Sequence, residues 1–254
     1  MKQPIVIIGM GELGGVFGRG FLRLGYPVYP ITRKLPMETA VKEFPPPVLV
    51  LVAVAEADIH EVLEELPKPW RGKVALLQNE LLPRDWEQHR VSAPTVISVW
   101  FEKKVGQEPK VILPSPVFGP HAQLLHDALT AIGIPARVLK DHDELVFELV
   151  RKNVYILTSN LAGLATGGTV GELWKNHREF ALKVAGDIIK IQTRLVKKEL
   201  PWDKLIAGMV EAFDGDPGHK CMGRTAPVRL IRVLAQAAEV GVEAAKLKEI
   251  QGKM

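Results

Sequence analysis

The sequence has a single cysteine, Cys221, among its 254 residues. An intrachain disulfide and a metal site built from several cysteines are therefore excluded, which fits a reducing cytoplasm. Long apolar runs are also missing: the longest, Val48–Ala55, is far shorter than the roughly 20 residues of a membrane-spanning helix. The first residues show no charged region, apolar stretch and cleavage site of a secretion signal. We therefore expect a cytoplasmic protein that has no membrane partner.

The sequence also lacks a large excess of charge of either sign. It has 33 Lys and Arg residues and 29 Asp and Glu residues, which gives a formal net charge of +4. No tract interleaves cations with aromatic side chains, so we expect no nucleic-acid partner. The seven histidines include no His-x-x-x-His pair, and we predict no bound metal. The small excess of cations suits small anionic ligands such as phosphates and carboxylates.

What the sequence does contain is a glycine-rich turn directly after its first apolar run, Ile5–Ile8. Such a short apolar run predicts a strand buried on both faces of a parallel sheet. In the pattern Gly-x-Gly-x-x-Gly, the first glycine makes the turn, the second lets a pyrophosphate approach and the third packs the following helix on the strand. The N–H groups at the N-terminus of that helix bind the phosphates. We therefore predict a dinucleotide site at Gly9, Met10, Gly11, Glu12, Leu13 and Gly14.

The residues after the second predicted strand, Tyr26–Ile31, indicate which dinucleotide binds. An acidic residue at this position binds the ribose 2′-hydroxyl of NAD, whereas a cation accommodates the 2′-phosphate of NADP. This strand is followed by Arg33 and Lys34, with no acidic residue beside them. We therefore predict that NADP(H) is the cofactor, with a solvated charged loop as the alternative interpretation of the two cations.

Predicted strands and helices alternate up to about residue 140. The later strand predictions are Val48–Ala55, Lys73–Leu77, Thr95–Trp100, Lys110–Leu113 and Ala136–Leu139. This alternation predicts an α/β fold in which residues 1–140 form a doubly wound parallel (Rossmann) sheet. Residues 141–254 show only long helical patterns, and we predict an all-helical C-terminal domain that supplies the substrate side of the site and forms a homodimer.

The first long helical pattern of this second domain carries polar residues on one face. Lys152, Ile156 and Asn160 are four residues apart and therefore share that face. A nicotinamide-dependent enzyme needs a proton donor beside the substrate carbonyl as the alkoxide forms. The spacing leaves two interpretations open. Either Lys152 donates this proton and Asn160 holds a substrate oxygen, or the helix is simply amphipathic and its lysine extends into solvent.

Taken together, these motifs resemble the ketopantoate reductase family over most of the chain. The resembling segments are Ile7–Gly15, Val28–Arg33, Leu76–Asn79, the helix with Lys152 and Asn160, and Thr166–Glu172. The resemblance implies an NADPH-dependent reductase of a 2-keto acid or a related small carbonyl compound. It also implies that Lys152 is the catalytic proton donor, that Asn160 binds substrate and that Asn79 contacts the cofactor near its nicotinamide.

Three positions depart from the family pattern. Ile156 replaces a substrate-binding asparagine, Ala55 replaces a lysine after the third strand, and Pro227 stands near the position of an acidic substrate ligand. A buried site that loses a polar partner loses discrimination for the group it held. We therefore expect a small anionic carbonyl substrate other than ketopantoate. Two alternatives stay open: a catalytically decayed NADP-binding sensor or partner protein, and an imine-forming or opine-forming reductase.

Overall fold

The computed structural model describes residues 2–254, and its contacts divide the chain into two compact units between Glu148 and Leu149. This division falls inside a helix that begins at His142, whereas the composition of the sequence changes at Asp141. Among residues 2–254, no helix combines the length and the apolar composition that crossing a membrane requires.

The first unit is built on a mostly parallel sheet. Its strands are, in chain order, β1 (Ile5–Ile8), β2 (Val28–Ile31), β3 (Leu49–Val52), β4 (Val74–Leu76), β5 (Thr95–Ile97), β6 (Phe101–Glu102), β7 (Lys110–Val111), β8 (Ser115–Phe118) and β9 (Ala136–Val138). Seven of them form one sheet in the order β2-β1-β3-β4-β5-β8-β9, while β6 and β7 form a separate antiparallel hairpin. All neighbours in the sheet are parallel except β5 and β8, which are antiparallel. The predicted Rossmann sheet is thus confirmed, with β8 and β9 running opposite to the other five strands.

Helices cover both faces of this sheet. They are α1 (Glu12–Arg23), α2 (Met37–Glu43), α3 (Ile59–Glu64), α4 (Pro83–Glu87) and α5 (Ala122–Thr130). Strands β1 and β3 are completely buried, as expected for the centre of a parallel sheet. Phe17 and Phe21 of α1 and Leu125 of α5 belong to one hydrophobic cluster with these strands. The two helices approach so closely that a Cβ added at Gly20 would collide with the carbonyl oxygen of Ala128.

The first four strands of the sheet end at one edge. In the register of the sheet, Ile8 pairs with both Ile31 and Val52, and Val52 pairs with Leu76. The loops that follow these strands therefore begin side by side. Open α/β sheets bind their ligands at this carboxyl edge, so the fold places the glycine turn where a ligand is expected.

The second unit is helical. Helix α6 (His142–Thr166) enters it from the first unit and is followed by α7 (Val170–Asn176), α8 (Arg178–Val196), α9 (Trp202–Gly215), α10 (Ala226–Glu239) and α11 (Ala245–Gln251). Within residues 149–254 the only β pairing is a single bridge between Thr169 and Lys220, which confirms the all-helical prediction. A buried hydrogen bond of 2.9 Å from Asn153 to Gln192 joins α6 to α8.

Candidate functional site

The turn between β1 and α1 uses its three glycines in different ways. Gly9 has a φ of +94°, and a Cβ there would lie 2.8 Å from the carbonyl oxygen of Ala53. A Cβ on Gly14 would collide with the carbonyl oxygen of Gly9, because α1 packs directly on the turn. A Cβ on Gly11, by contrast, would meet nothing within 4 Å. The backbone of the turn therefore packs tightly against neighbouring atoms at Gly9 and Gly14, whereas at Gly11 the space beside it is free. A phosphate-binding turn requires such free space at its second glycine.

The N-terminus of α1 directs N–H groups out of this turn. Gly11 is the N-cap residue and offers no side chain to cap the helix. The N–H of Gly15 is bonded within the helix, to the carbonyl of Gly11 at 2.9 Å. The three N–H groups before it have no partner in the helical ladder and can bind an anion. Of the other residues predicted here, Met10 is exposed at the turn, whereas Leu13 packs against the hydrophobic core.

A cleft of about 630 Å³ opens beside the glycine turn within the first unit. Its lining includes Gly9 and Gly11, the segment after β2 with Arg33, and residues at the end of β3. Within residues 2–254, Arg33 has no hydrogen-bond or ion-pair partner. Lys34 is exposed, lies outside this lining, and donates its backbone N–H to Thr32 Oγ1 at 3.4 Å. The structure thus brings Arg33 to the glycine turn more directly than Lys34.

The same cleft also contains carboxylates. Asp58, Glu61 and Glu65, from α3 and its two ends, all contribute to the lining. Carboxylates accept hydrogen bonds from ribose hydroxyls and repel a 2′-phosphate, whereas the guanidinium of Arg33 attracts it. The lining therefore holds groups suited to each of the two nicotinamide dinucleotides.

The loop after β4 is tied to the end of β3. Gln78 donates from Nε2 to the carbonyl oxygens of Val52 and Val54, at 2.8 and 3.2 Å. The next residue, Asn79, donates from Nδ2 to Oε1 of Glu56 at 2.8 Å. These bonds hold the Asn79 side chain at the carboxyl edge of the sheet.

Ser98 is a polar residue at this edge that the sequence reasoning does not identify. Ser98 directly follows β5, which is parallel to β4. It therefore lies at the same carboxyl edge of the sheet as Asn79. Ser98 is buried, and within residues 2–254 its hydroxyl has no hydrogen-bond partner. Leaving such a group unsatisfied costs about 1–3 kcal/mol. The sequence predicts a strand over Thr95–Trp100 and so places Ser98 inside it, whereas β5 ends at Ile97.

In the second unit, α6 buries Lys152 and Asn160, whose side chains share one face of the helix. They are 7% and 9% exposed, with Ile156 buried between them. Oδ1 of Asn160 accepts a hydrogen bond from Nη1 of Arg229 at 3.1 Å, and its Nδ2 donates to Ser159 Oγ at 3.4 Å. Arg229 lies on α10 and is also buried. The structure therefore adds to the two predicted residues an arginine that sequence spacing does not reveal.

This arrangement groups several hydrogen-bond donors in the second unit. Since the Asn160 oxygen accepts from Arg229 and its Nδ2 donates to Ser159, the amide has one N–H left as a donor. Lys152 carries an ammonium group with three donors and lies about 12 Å earlier along the axis of α6. Donors of this kind suit an anionic ligand rich in oxygen atoms.

The departures from the family pattern have ordinary local roles. Pro227 lies in the first turn of α10, where its missing N–H is not needed. Ala55 precedes α3 and accepts a hydrogen bond from the N–H of Asp58 at 3.0 Å.

Burial raises the pKa of the Cys221 thiol to about 11, so this residue is not a ready nucleophile. Across residues 2–254, no three His, Cys, Asp or Glu side chains are grouped to hold a metal ion.

Comparison with known proteins finds no match among protein-family models or among curated protein sequences. Solved structures match over nearly the whole chain. The 2-dehydropantoate 2-reductase from Methylococcus capsulatus has a TM-score of 0.75 and 13% identity, covering 99% of this chain and 95% of its own. The enzyme of the same name from Porphyromonas gingivalis W83 has a TM-score of 0.69 and 15% identity, covering 100% and 99%.

A third similar structure is D-mandelate dehydrogenase in a ternary complex with NADH and anilino(oxo)acetate. Its TM-score is 0.67 at 16% identity, covering 97% of this chain and 95% of its own. The chain therefore has the fold of the ketopantoate (2-dehydropantoate) reductases, a Rossmann unit followed by a helical unit. The resemblance seen in the sequence motifs is confirmed at the level of the fold.

Proposed function

We propose that this protein is an NADPH-dependent reductase of a 2-keto acid or a related small carbonyl compound. The observation that carries the proposal is the composition of one cleft: the open backbone at Gly11 and the partnerless guanidinium of Arg33 line it together. The fold neighbours support the same chemistry, since they are reductases of 2-dehydropantoate and a dehydrogenase of D-mandelate bound to NADH.

The first unit would hold the cofactor. Its diphosphate would bind the N–H groups at the start of α1, approaching over Gly11, and its 2′-phosphate would pair with Arg33. Asn79 would contact the nicotinamide end, because it lies at the carboxyl edge of the sheet. A dinucleotide held by these residues would supply the hydride that the substrate carbonyl carbon needs.

The second unit would supply the proton and the grip on the substrate. Lys152 donates a proton from its Nζ to the carbonyl oxygen, which becomes the hydroxyl of the product. The NH₂ group of Asn160 donates a hydrogen bond to a substrate oxygen, and Arg229 holds that amide in place. The positive charges of Lys152 and Arg229 favour a substrate that carries a carboxylate.

NADH is the second candidate cofactor, and the observation that favours it is the presence of Asp58, Glu61 and Glu65 in the same cleft. We place NADPH first because Arg33 has no partner among residues 2–254, so its guanidinium is available to a 2′-phosphate. The Kd values of NADPH and NADH, measured side by side, decide between them.

A catalytically decayed nucleotide-binding protein is the second candidate function. It is favoured by the apolar side chain of Ile156 and by Ala55 and Pro227, which stand where the family resemblance implies polar groups. An imine-forming or opine-forming reductase would use the same cofactor half with an amine as second substrate.

The experiment that separates these functions is NADPH oxidation, followed by absorbance, with a panel of 2-oxo acids of increasing length. We expect turnover with the acid alone. Turnover only after an amino acid or ammonium is added would identify an imine-forming enzyme. Tight binding of NADPH without turnover on any acid or aldehyde would favour the decayed protein.

A further inference from the structure

The β6–β7 hairpin is attached to α1, the helix that follows the glycine turn. The ring of Phe101 in β6 lies against that of Phe17 in α1, with centroids 6.3 Å apart, and both residues are buried. A more exposed ion pair of 3.5 Å, between Arg19 and Glu108, makes a second contact. The hairpin is therefore fixed in position relative to the N-terminus of this helix.

Lys103, directly after β6, brings an ammonium group to the first turn of α1. Its Nζ lies 2.9 Å from Oε2 of Glu12. The Lys103 side chain is only 18% exposed, whereas that of the neighbouring Lys104 is 59% exposed and pairs with Glu102 within the hairpin. Of these two neighbouring lysines, only Lys103 reaches the end of α1 where the helical N–H groups lack partners.

The charge of Glu12 makes this lysine relevant to binding. A carboxylate in the first turn interacts favourably with the helix dipole, but it repels a diphosphate that approaches the same N–H groups. Lys103 compensates this charge. The ammonium group has three N–H donors: one bonds to the carbonyl oxygen of Lys104 at 2.7 Å and one faces Glu12, so the third can bond to a phosphate oxygen.

We propose that Lys103 is a binding residue of the dinucleotide site, whose ammonium group contacts the diphosphate while it stays paired with Glu12. The inference depends on the proposed function in one respect, that a dinucleotide binds at the glycine turn. It goes further by giving the β6–β7 hairpin a part in that site.

The test is the Kd of NADPH for the full-length protein and for Lys103→Ala, with Lys104→Ala as the matched control. We expect Lys103→Ala to weaken NADPH binding about tenfold, the loss typical of a charge-assisted hydrogen bond. Lys104→Ala should change it less than about twofold, because its charge faces Glu102. Adenosine 2′-monophosphate, which lacks both phosphates of the diphosphate, should bind Lys103→Ala and the unmodified protein equally.

Repeating Lys103→Ala in a Glu12→Gln background separates a direct contact from charge compensation. If Lys103 contacts the diphosphate, its removal still weakens NADPH binding when Glu12 is neutral. If the effect disappears there, or if Lys103→Ala alone binds NADPH normally, the assignment is overturned while the proposed function stands. If the unmodified protein binds neither NADPH nor NADH, the proposed function fails and the assignment fails with it.

Discussion

The guanidinium of Arg229 donates a hydrogen bond of 3.1 Å to Asn160, although the two residues are 69 positions apart in the chain. Both side chains are buried, so the bond is shielded from water and fixes which end of the amide faces away from Arg229. Two polar groups from α6 and α10 are thereby held as one unit.

Replacing Arg229 should weaken the binding of the substrate and leave the binding of the cofactor unchanged. We expect Arg229→Gln to raise the KM of a 2-oxo acid about tenfold, because the cation and the restraint on Asn160 are both lost. The Kd of NADPH should not change. Steady-state kinetics check this, with Arg224→Gln, an exposed arginine before the same helix, as the control. If Arg229→Gln raises the KM of a neutral aldehyde substrate by the same factor, Arg229 supports the structure and does not recognise the charge of the substrate.

Arg33 should determine the choice of dinucleotide. We expect Arg33→Ala to weaken NADPH binding by about 10-fold to 100-fold and NADH binding by less than twofold, since only NADPH carries a 2′-phosphate. Lys34→Ala should have a smaller effect, because Lys34 does not line the cleft. Titration calorimetry checks both, with the exposed Arg23 at the end of α1 as the control position. If Arg33→Ala weakens the binding of NADPH and of NADH equally, Arg33 does not contact the 2′-phosphate.

Substitutions in the glycine turn should separate folding from binding. Gly14→Ala places a methyl group on the carbonyl of Gly9 and should lower the melting temperature by several degrees. Gly15→Ala meets nothing within 4 Å and should stabilise α1 by up to about 1 kcal/mol. Gly11→Ala also has space and should fold normally, yet its methyl group occupies the surface that a diphosphate approaches.

The decisive variant of this series is Gly11→Ala. We expect its melting temperature to match that of the unmodified protein and its Kd for NADPH to rise at least about tenfold, as loss of a close backbone contact implies. Thermal unfolding and calorimetry provide the two measurements. Unchanged NADPH affinity would show that the diphosphate does not approach Gly11.

The thiol of Cys221 should react slowly in the folded protein. Burial raises its pKa to about 11, so the reactive thiolate is scarce at pH 8 and becomes abundant only as the pH approaches that value. We expect slow labelling by an aromatic disulfide reagent at pH 8 and rapid labelling after urea unfolding. Rapid labelling of the folded protein at pH 8 would contradict the packing of Cys221 against Gly163.

The features that the sequence predicted correctly depend on short stretches of chain. Strand β1, the glycine turn and the start of α1 are continuous, so the apolar run and the glycine spacing are enough to identify them. Strand β8 was missed because Pro116 interrupts its apolar pattern, and a proline usually argues against a strand interior. The segment Lys110–Leu113, predicted as a strand, contributes β7 of the small hairpin and not a strand of the main sheet.

The parts of the site that the sequence did not predict depend on distant contacts. Nothing near Arg229 in the chain indicates that its partner is Asn160, because the bond exists only once α6 and α10 have packed. The unsatisfied hydroxyl of Ser98 is likewise visible only after the sheet has formed around it. Similarly, the acidic residues Glu61 and Glu65 resemble a solvated helix face in the sequence, and only the fold places them in the cleft with Arg33.

In the proposed reaction, Lys152 donates the proton when NADPH reduces a carbonyl group. The most direct test compares initial rates of NADPH oxidation, with the best 2-oxo acid, for the unmodified protein, Lys152→Ala and Lys190→Ala, an exposed lysine of α8. We expect kcat to fall about 10²-fold to 10⁴-fold for Lys152→Ala, the range typical of general acid catalysis, with an unchanged Kd for NADPH. Lys190→Ala should keep its full rate. Full turnover by Lys152→Ala would contradict the assignment of the proton donor, and failure of the unmodified protein to oxidise NADPH with any carbonyl compound would contradict the proposed reaction.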